Sequence, residues 1–210
     1  MSIILASTSP RRRELLALLG IPFAVRRPSF EEQLVPNRTV IEQVQFFAQG
    51  KAQSVARHEP EAIVLGSDTV IQLDHDMLGK PTDLAEARAM LRRLAGRDHH
   101  VHTAVSLVCL ARGIDVMVLS TAVVRMKQFD ERLHEDYLAT GESLGKAGAY
   151  SIQGKGGELI DSVVGDFPTV VGLPLRMVAQ LLAQAGVRVP VDLNELYANK
   201  PYANWARFSV

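Results

Sequence analysis

Ser2-Ile3-Ile4-Leu5-Ala6 runs without a break into Ser7-Thr8-Ser9-Pro10-Arg11-Arg12-Arg13. The first five residues form a short apolar run that reads as a buried strand. Ser9 suits an N-cap and Pro10 the first helical position, so the chain turns here from strand to helix. Leu15, Leu16, Leu18 and Leu19 supply the apolar face of that helix, and Gly20 supplies its stop. A strand feeding a helix this early points to an α/β chain.

The pattern continues outward from this turn. Ile21 to Arg27 reads as a second strand, and Pro28 to Asn37 as a loop. Val40 to Arg57 has helical spacing through Ile41, Val44, Phe47, Ala48 and Ala52, with Gly50 as a soft spot. Ala62-Ile63-Val64-Leu65-Gly66 is nearly all apolar, as strands covered on both faces are. Ser67-Asp68-Thr69 interrupts it before Val70-Ile71-Gln72-Leu73 resumes the strand pattern. Asp83 with Glu86 reads as a capping box for a helix through Ala95. His100 to Ala111 and Ile114 to Met126 read as two long strands joined at Arg112-Gly113. Asp130 to Thr140 and Pro174 to Ala185 read as helices, with the glycine-rich stretch Gly145 to Gly157 between them. The expected fold is a mixed-sheet α/β domain of two lobes over residues 1–186, followed by a tail over 187–210 that carries the only tryptophan, Trp205.

Composition narrows the function classes. The chain has 210 residues, of which 47% are hydrophobic and 22% charged, enough apolar material for a packed core and too much for disorder. Its 23 basic and 23 acidic residues cancel. A neutral chain is a poor duplex-nucleic-acid binder, because that affinity comes mainly from positive charge. The single cysteine, Cys109, lies in an apolar run and reads as a buried inert thiol. No leader with a basic start and no run of about 18 apolar residues is present, which is read as a cytoplasmic chain with no membrane partner.

Two segments carry most of the chemistry. Arg11, Arg12 and Arg13 fall in the first turn of a helix, where the dipole disfavours cations. A bound anion would relieve that conflict, and arginine forks suit phosphate; a solvated basic patch is the plainer alternative. Asp68 is a carboxylate inside a buried apolar run, costly unless paired, hydrogen-bonded or metal-bound. Placed beyond a strand end it could bind a divalent cation or take a proton from water; it could equally be a turn aspartate bonding its neighbours. Lys80 sits between Gly79 and Pro81 in a loop, and Lys51 on a helix. Glu31-Glu32 offers a metal ligand or plain surface charge. The Gln153 amide could read a base edge or bond a turn. Gly141 to Ala147 imitates a phosphate-binding loop but has one residue too few between its glycines and lacks the hydroxyl after lysine. His99, His100 and His102 are close and His100 and His102 would share a strand face, but no third ligand of the zinc-site kind lies nearby.

Taken together the segments resemble the Maf family of nucleotide pyrophosphatases. The matching pieces are Leu5 to Leu16, Glu31-Glu32, Lys51-Ala52, Gly66-Ser67-Asp68-Thr69-Val70, Gly79-Lys80-Pro81, Lys146 to Gly154 and Val171-Gly172-Leu173-Pro174. The resemblance implies a mixed twisted sheet with flanking helices and two lobes around a cleft, a Maf/ITPase-like fold. It implies hydrolysis of a nucleoside triphosphate to monophosphate and pyrophosphate with a divalent metal cation, Mg or Mn. Position by position, Asp68 matches the proton acceptor, and Glu32 with Asp68 the metal positions. Ser7, Arg12, Lys51 and Lys80 match phosphate-binding positions. Arg11, Thr69 and Gln153 match positions that separate substrate subgroups, and look like the dTTP/UTP subgroup. The other readings within this resemblance are a 7-methyl-GTP pyrophosphatase and a nucleotide-binding regulator of cell division without turnover. The resemblance also admits a homodimer.

Overall fold

The computed structural model describes residues 2–208. Its strands are β1 (Ile3–Ala6), β2 (Ala24–Arg26), β3 (Ile63–Leu73), β4 (Asp76–Leu78), β5 (Asp98–Cys109), β6 (Ile114–Met126) and β7 (Ile160–Val164). Its helices are α1 (Pro10–Ala17), α2 (Val40–Ala56), α3 (Leu84–Leu94), α4 (Glu131–Leu138), α5 (Phe167–Val171), α6 (Leu175–Gln184), α7 (Leu193–Asn199) and α8 (Ala203–Arg207). The strands make one sheet in the order β2-β1-β3-β5-β6-β7, with β4 paired to β3 off that path. β1 is parallel to β2 and β3, whereas β4 and β7 are antiparallel to their neighbours. The fold class is the mixed α/β class expected. No helix among the described residues is long and apolar enough to cross a membrane.

The chain forms two compact units. The first comprises residues up to Thr69, Thr103–Ser120 and Gly172–Asn199. Its β1 is buried along its whole length. Ile4, Ala6, Val64 and Val108 from the strands pack with Ala52, Val55 and Ala56 from α2 into one apolar cluster. The small alanines on α2 let the helix lie close to the sheet. α1 starts as expected, with the Ser9 hydroxyl accepting from Arg12 N and Pro10 opening the helix. α2 starts with a full capping box: Thr39 Oγ1 accepts from Glu42 N at 3.2 Å, and Glu42 Oε2 accepts from Thr39 N at 2.8 Å. The Thr39-x-x-Glu42 spacing is the sequence signature of such a box.

β3 corrects one expectation. Ser67-Asp68-Thr69 does not end the strand; β3 is continuous from Ile63 to Leu73. Polar residues persist in a buried strand because their side chains find partners: Ser67 Oγ donates to Gly172 O at 3.0 Å, and Thr69 Oγ1 pairs with Thr103 Oγ1 at 2.9 Å. It is β1 that stops, at Ala6 opposite Gly66. Asp68 therefore lies just past the end of β1 in the middle of β3.

The second unit comprises Val70–His102, Thr121–Val171 and the chain from Lys200. The expected Asp83/Glu86 box is half formed. Asp83 caps Glu86 N, but the Glu86 carboxylate bonds Thr82 N and Thr82 Oγ1 instead of the cap backbone. α3 and α4 are joined by a two-pronged Arg88–Glu135 pair at 2.6 Å on each prong. β7 and α5 fall where the sequence named no element. α8 is also built in: its Trp205 is 1% exposed and stacks on Phe167 at 5.6 Å between ring centroids.

His99 is buried in this unit with Nε2 at 2.7 Å from the Tyr150 hydroxyl. Burial, with help from His100, lowers its pKa from 6.5 to about 4. Between those values the unfolded chain binds a proton that the folded chain refuses. His99 thus contributes full stability above about pH 6.5 and loses it as pH falls toward 4. Denaturant unfolding at pH 7 and pH 4 should show about 3 kcal/mol more loss for the natural chain than for His99→Phe. Equal losses would remove His99 as the cause.

Candidate active site

Three elements of the first unit meet at Asp68. β3 supplies Asp68 itself, α2 supplies Lys51, and the loop before α2 supplies Glu32. Lys51 Nζ lies 2.5 Å from Asp68 Oδ1 and 2.6 Å from Glu32 Oε1. The Lys51 and Asp68 side chains are each 8% exposed, and Glu32 is 38% exposed. One ammonium is thus shared by an inner and an outer carboxylate. Asp68 Oδ2 accepts no hydrogen bond among the described residues.

Small residues make this meeting possible. A Cβ at Gly66 would run into Ala48 O and sit 2.5 Å from Ala52 N, both backbone atoms of α2. Only glycine lets the helix come this near, and that approach carries Lys51 to Asp68. Gly50, the soft spot of the helix, has an equally direct reason. The Phe30 ring occupies the place its side chain would take. Phe30 also packs edge-on against Phe46 and Phe47. That anchor fastens the loop to α2 two residues before Glu32.

Arg12 comes from α1. Its Nε donates to Gly172 O at 2.9 Å and its Nη2 donates to Thr69 Oγ1 at 3.0 Å. Gly172 holds φ at +120°, a conformation that suits glycine, and so turns its carbonyl toward both Arg12 and Ser67. The sequence offered Gly172 only as part of a matching segment; its positive φ was not visible there. Thr69, a position of subgroup selectivity by resemblance, here uses its hydroxyl to hold the Arg12 guanidinium. Thr103, which the sequence did not single out, backs Thr69.

The electrostatics follow from burial. Loss of water lowers the Arg12 pKa, and the charges of Asp68 and Glu32 oppose that fall. Burial raises the Asp68 pKa above 3.8, against the pull of Lys51 and Arg12. A carboxylate so placed is a stronger base than one in water. The site holds two cations, Arg12 and Lys51, against two anions, Glu32 and Asp68. Both carboxylates are hard oxygen donors and reach a common point, so they suit a divalent cation that fills its remaining positions with water and phosphate oxygens. Among the described residues no group of three or more His, Cys, Asp or Glu could hold a metal by itself.

The remaining expected residues fall as follows. Ser7 is buried directly after β1, and its Oγ accepts from Ser9 N at 3.1 Å. Arg11 is half-buried in the first turn of α1. Lys80 and Gln153 belong to the second unit. Lys80 is exposed on a loop whose Gly79 O accepts from Gly148 N at 3.0 Å. Gln153 is half-buried in a turn between two short helical turns. His100 and His102 stack at 5.8 Å, and the two ring nitrogens of His102 are taken by Thr121 and Gln72.

Residues 2–185 match a family described as Maf-like protein. A protein of Symbiobacterium thermophilum named dTTP/UTP pyrophosphatase is 47% identical over 185 residues, covering 88% of this chain and 94% of that one. Proteins of the same name from Thermotoga maritima and Clostridioides difficile are 45% and 42% identical, over 89% and 87% of this chain and 90% and 94% of theirs. Among solved structures, the Ham1 protein of Staphylococcus aureus is similar with a TM-score of 0.43 and 13% identity, over 60% of this chain and 72% of that one. A likeness that weak decides nothing.

The close approach at Gly66 is open to a direct check. Gly66→Ala forces α2 off the sheet, because the obstructing atoms are backbone. Chemical denaturation should show a loss of about 1–3 kcal/mol, the usual cost of overpacking. Unchanged stability would mean that α2 has room to spare.

Proposed function

Because this chain belongs to the Maf family, we propose that it is a nucleoside triphosphate pyrophosphatase that converts dTTP and UTP to the monophosphate and pyrophosphate. The observation that carries the reading is the buried ammonium of Lys51 shared by Asp68 and Glu32, with Arg12 beside them. The names of the relatives support the substrate class.

On this reading Asp68 is the general base. Its carboxylate is buried, its pKa is raised, and its Oδ2 is left for the proton of an attacking water. Lys51 and Arg12 hold phosphate oxygens, aided by Ser7, Lys80 and the helix start at Ser9-Pro10. A triphosphate carries about four negative charges, which these cations cannot balance while Lys51 and Arg12 remain offset by Asp68 and Glu32. A divalent cation, Mg or Mn, held by Glu32 and Asp68 would neutralise part of that charge and make a bound water more acidic. With its carboxylates so engaged, Lys51 would be the ammonium left to hold phosphate oxygens. Phosphoryl transfer needs mostly positioning and charge stabilisation, which this cluster supplies. Gln153 reads the base: its amide offers one acceptor and two donors, matching a pyrimidine with carbonyls and an N3–H. Arg11 and Thr69 complete the selectivity positions.

The test is pyrophosphate release from a panel of triphosphates with magnesium or manganese. dTTP and UTP should turn over well ahead of ATP and GTP, and a chelator should abolish the reaction. Asp68→Asn should lower kcat by about 10²–10⁴, the range of general-base catalysis, while nucleotide binding persists. A wild-type rate in Asp68→Asn would overturn the general-base role.

A further inference from the structure

The loop that carries Gln153 is held by α8. Asn204 Nδ2 lies 2.6 Å from Ile152 O and 3.1 Å from Gly154 O, the two carbonyls that flank Gln153. An amide nitrogen has two hydrogens, and each finds one carbonyl. A Cβ at Gly157 would sit 2.5 Å from Asn204 Nδ2, so this glycine makes room for the clamp. On the other flank a side chain at Gly154 would collide with the Glu142 carboxylate. The loop is therefore confined from two directions.

The clamp itself is anchored. Asn204 precedes Trp205 on α8, and Trp205 is buried against Phe167 with nearly parallel rings, 8° apart. Tyr202 stacks on Trp205 as well, at 6.4 Å between ring centroids. α8 cannot shift without unstacking these rings, so Asn204 is presented at a fixed height. The matched family region ends at residue 185, and Asn204 lies outside it.

We infer that Asn204 is a positioning residue for base selection: by fixing the carbonyls on both sides of Gln153 it sets the direction of the Gln153 amide, and through it the preference for a pyrimidine with two carbonyls and an N3–H, thymine or uracil, over cytosine. The inference rests on the reading of Gln153 given above. Asn204 is not placed against substrate; its effect passes through the backbone of the loop.

The experiment compares the natural chain with Asn204→Ala, Asn204→Asp, Gln153→Ala and the double variant Gln153→Ala/Asn204→Ala. The readouts are kcat and KM for dTTP and CTP, with Trp205 fluorescence on heating to verify folding. Asn204→Ala should raise KM for dTTP about tenfold, the scale of two lost neutral hydrogen bonds, while kcat changes less than about threefold. The dTTP/CTP preference should narrow. Asn204→Asp keeps the shape but sets carboxylate oxygen against carbonyl oxygen, so it should cost more than alanine. In the Gln153→Ala background the Asn204→Ala effect should vanish. If Gln153→Ala shifts the preference and both Asn204 variants, folded, leave it untouched, the inference falls and the reading of Gln153 stands. An equal Asn204 effect with and without Gln153 also overturns it, since that is what a merely structural role produces. If Gln153→Ala leaves the preference intact, the base reading fails first and the inference goes with it.

Discussion

Everything at the site depends on one buried ion pair, Lys51 with Asp68. Taking two charges out of water costs several kcal/mol per ion before their attraction returns anything. Such a pair is poor evidence for stability, and apolar residues of similar size often serve a core as well or better. Its persistence in the middle of β3 is better explained by what the charges do. The pair is also unsymmetrical: Lys51 has a second carboxylate in Glu32, and Glu32 is far more open to water. Lys51 thus has somewhere to go, and Asp68 can be relieved of it by another cation. On the proposed reading, a buried acid with a replaceable counter-ion is a base held ready.

The pair is assembled by absence of bulk more than by attraction. Gly66 removes the obstacle between α2 and β3, Gly50 gives Phe30 a seat on α2, and Gly172 bends its carbonyl to Arg12 and Ser67. At Gly66 the close contact is with the backbone of α2 and at Gly50 with a packed aromatic ring, groups that cannot yield as a flexible side chain would. The charged residues are therefore positioned by packing, and their charges need only supply the chemistry. The same logic explains why Thr69 on β3 and Thr103 on β5 sit side by side. Thr69 holds the guanidinium and Thr103 pairs with the Thr69 hydroxyl, so that two polar groups are satisfied and a cation is aimed at once.

Much of this was legible in the chain. The Ile3–Ala6 strand, the Ser9-Pro10 helix start, the hairpin near Gly113 and the cost of a carboxylate at Asp68 all follow from local pattern. Joint occurrence of the Maf-like segments then selected the site residues. What escaped were features set by distant neighbours. β3 runs through Ser67-Asp68-Thr69 because Gly172 and Thr103, far along the chain, satisfy its hydroxyls; no window around residue 68 contains that information. The role of Gly50 depends on Phe30 in the same way. The Thr39-x-x-Glu42 spacing is itself a local signature, whereas Glu86 reaches Thr82 because a carboxylate takes whichever donors lie nearest. The segment over residues 187–210 carried too little periodicity to show that Trp205 would be buried.

On the proposed reading, that last segment changes how the two jobs of the enzyme divide. The charge cluster of the first unit is built on β3, α1 and α2, where a shift of an ångström would break several contacts together. Gln153, in contrast, lies in a turn whose carbonyls are bonded by one side chain from α8. A rigid scaffold suits bond cleavage, which tolerates little misplacement. A loop held by a few hydrogen bonds suits selectivity, because its geometry can be retuned without touching the base or the cations. On the proposed reading, Asn204 lets this chain adjust which nucleotide it accepts while leaving intact the ion pair that cuts it.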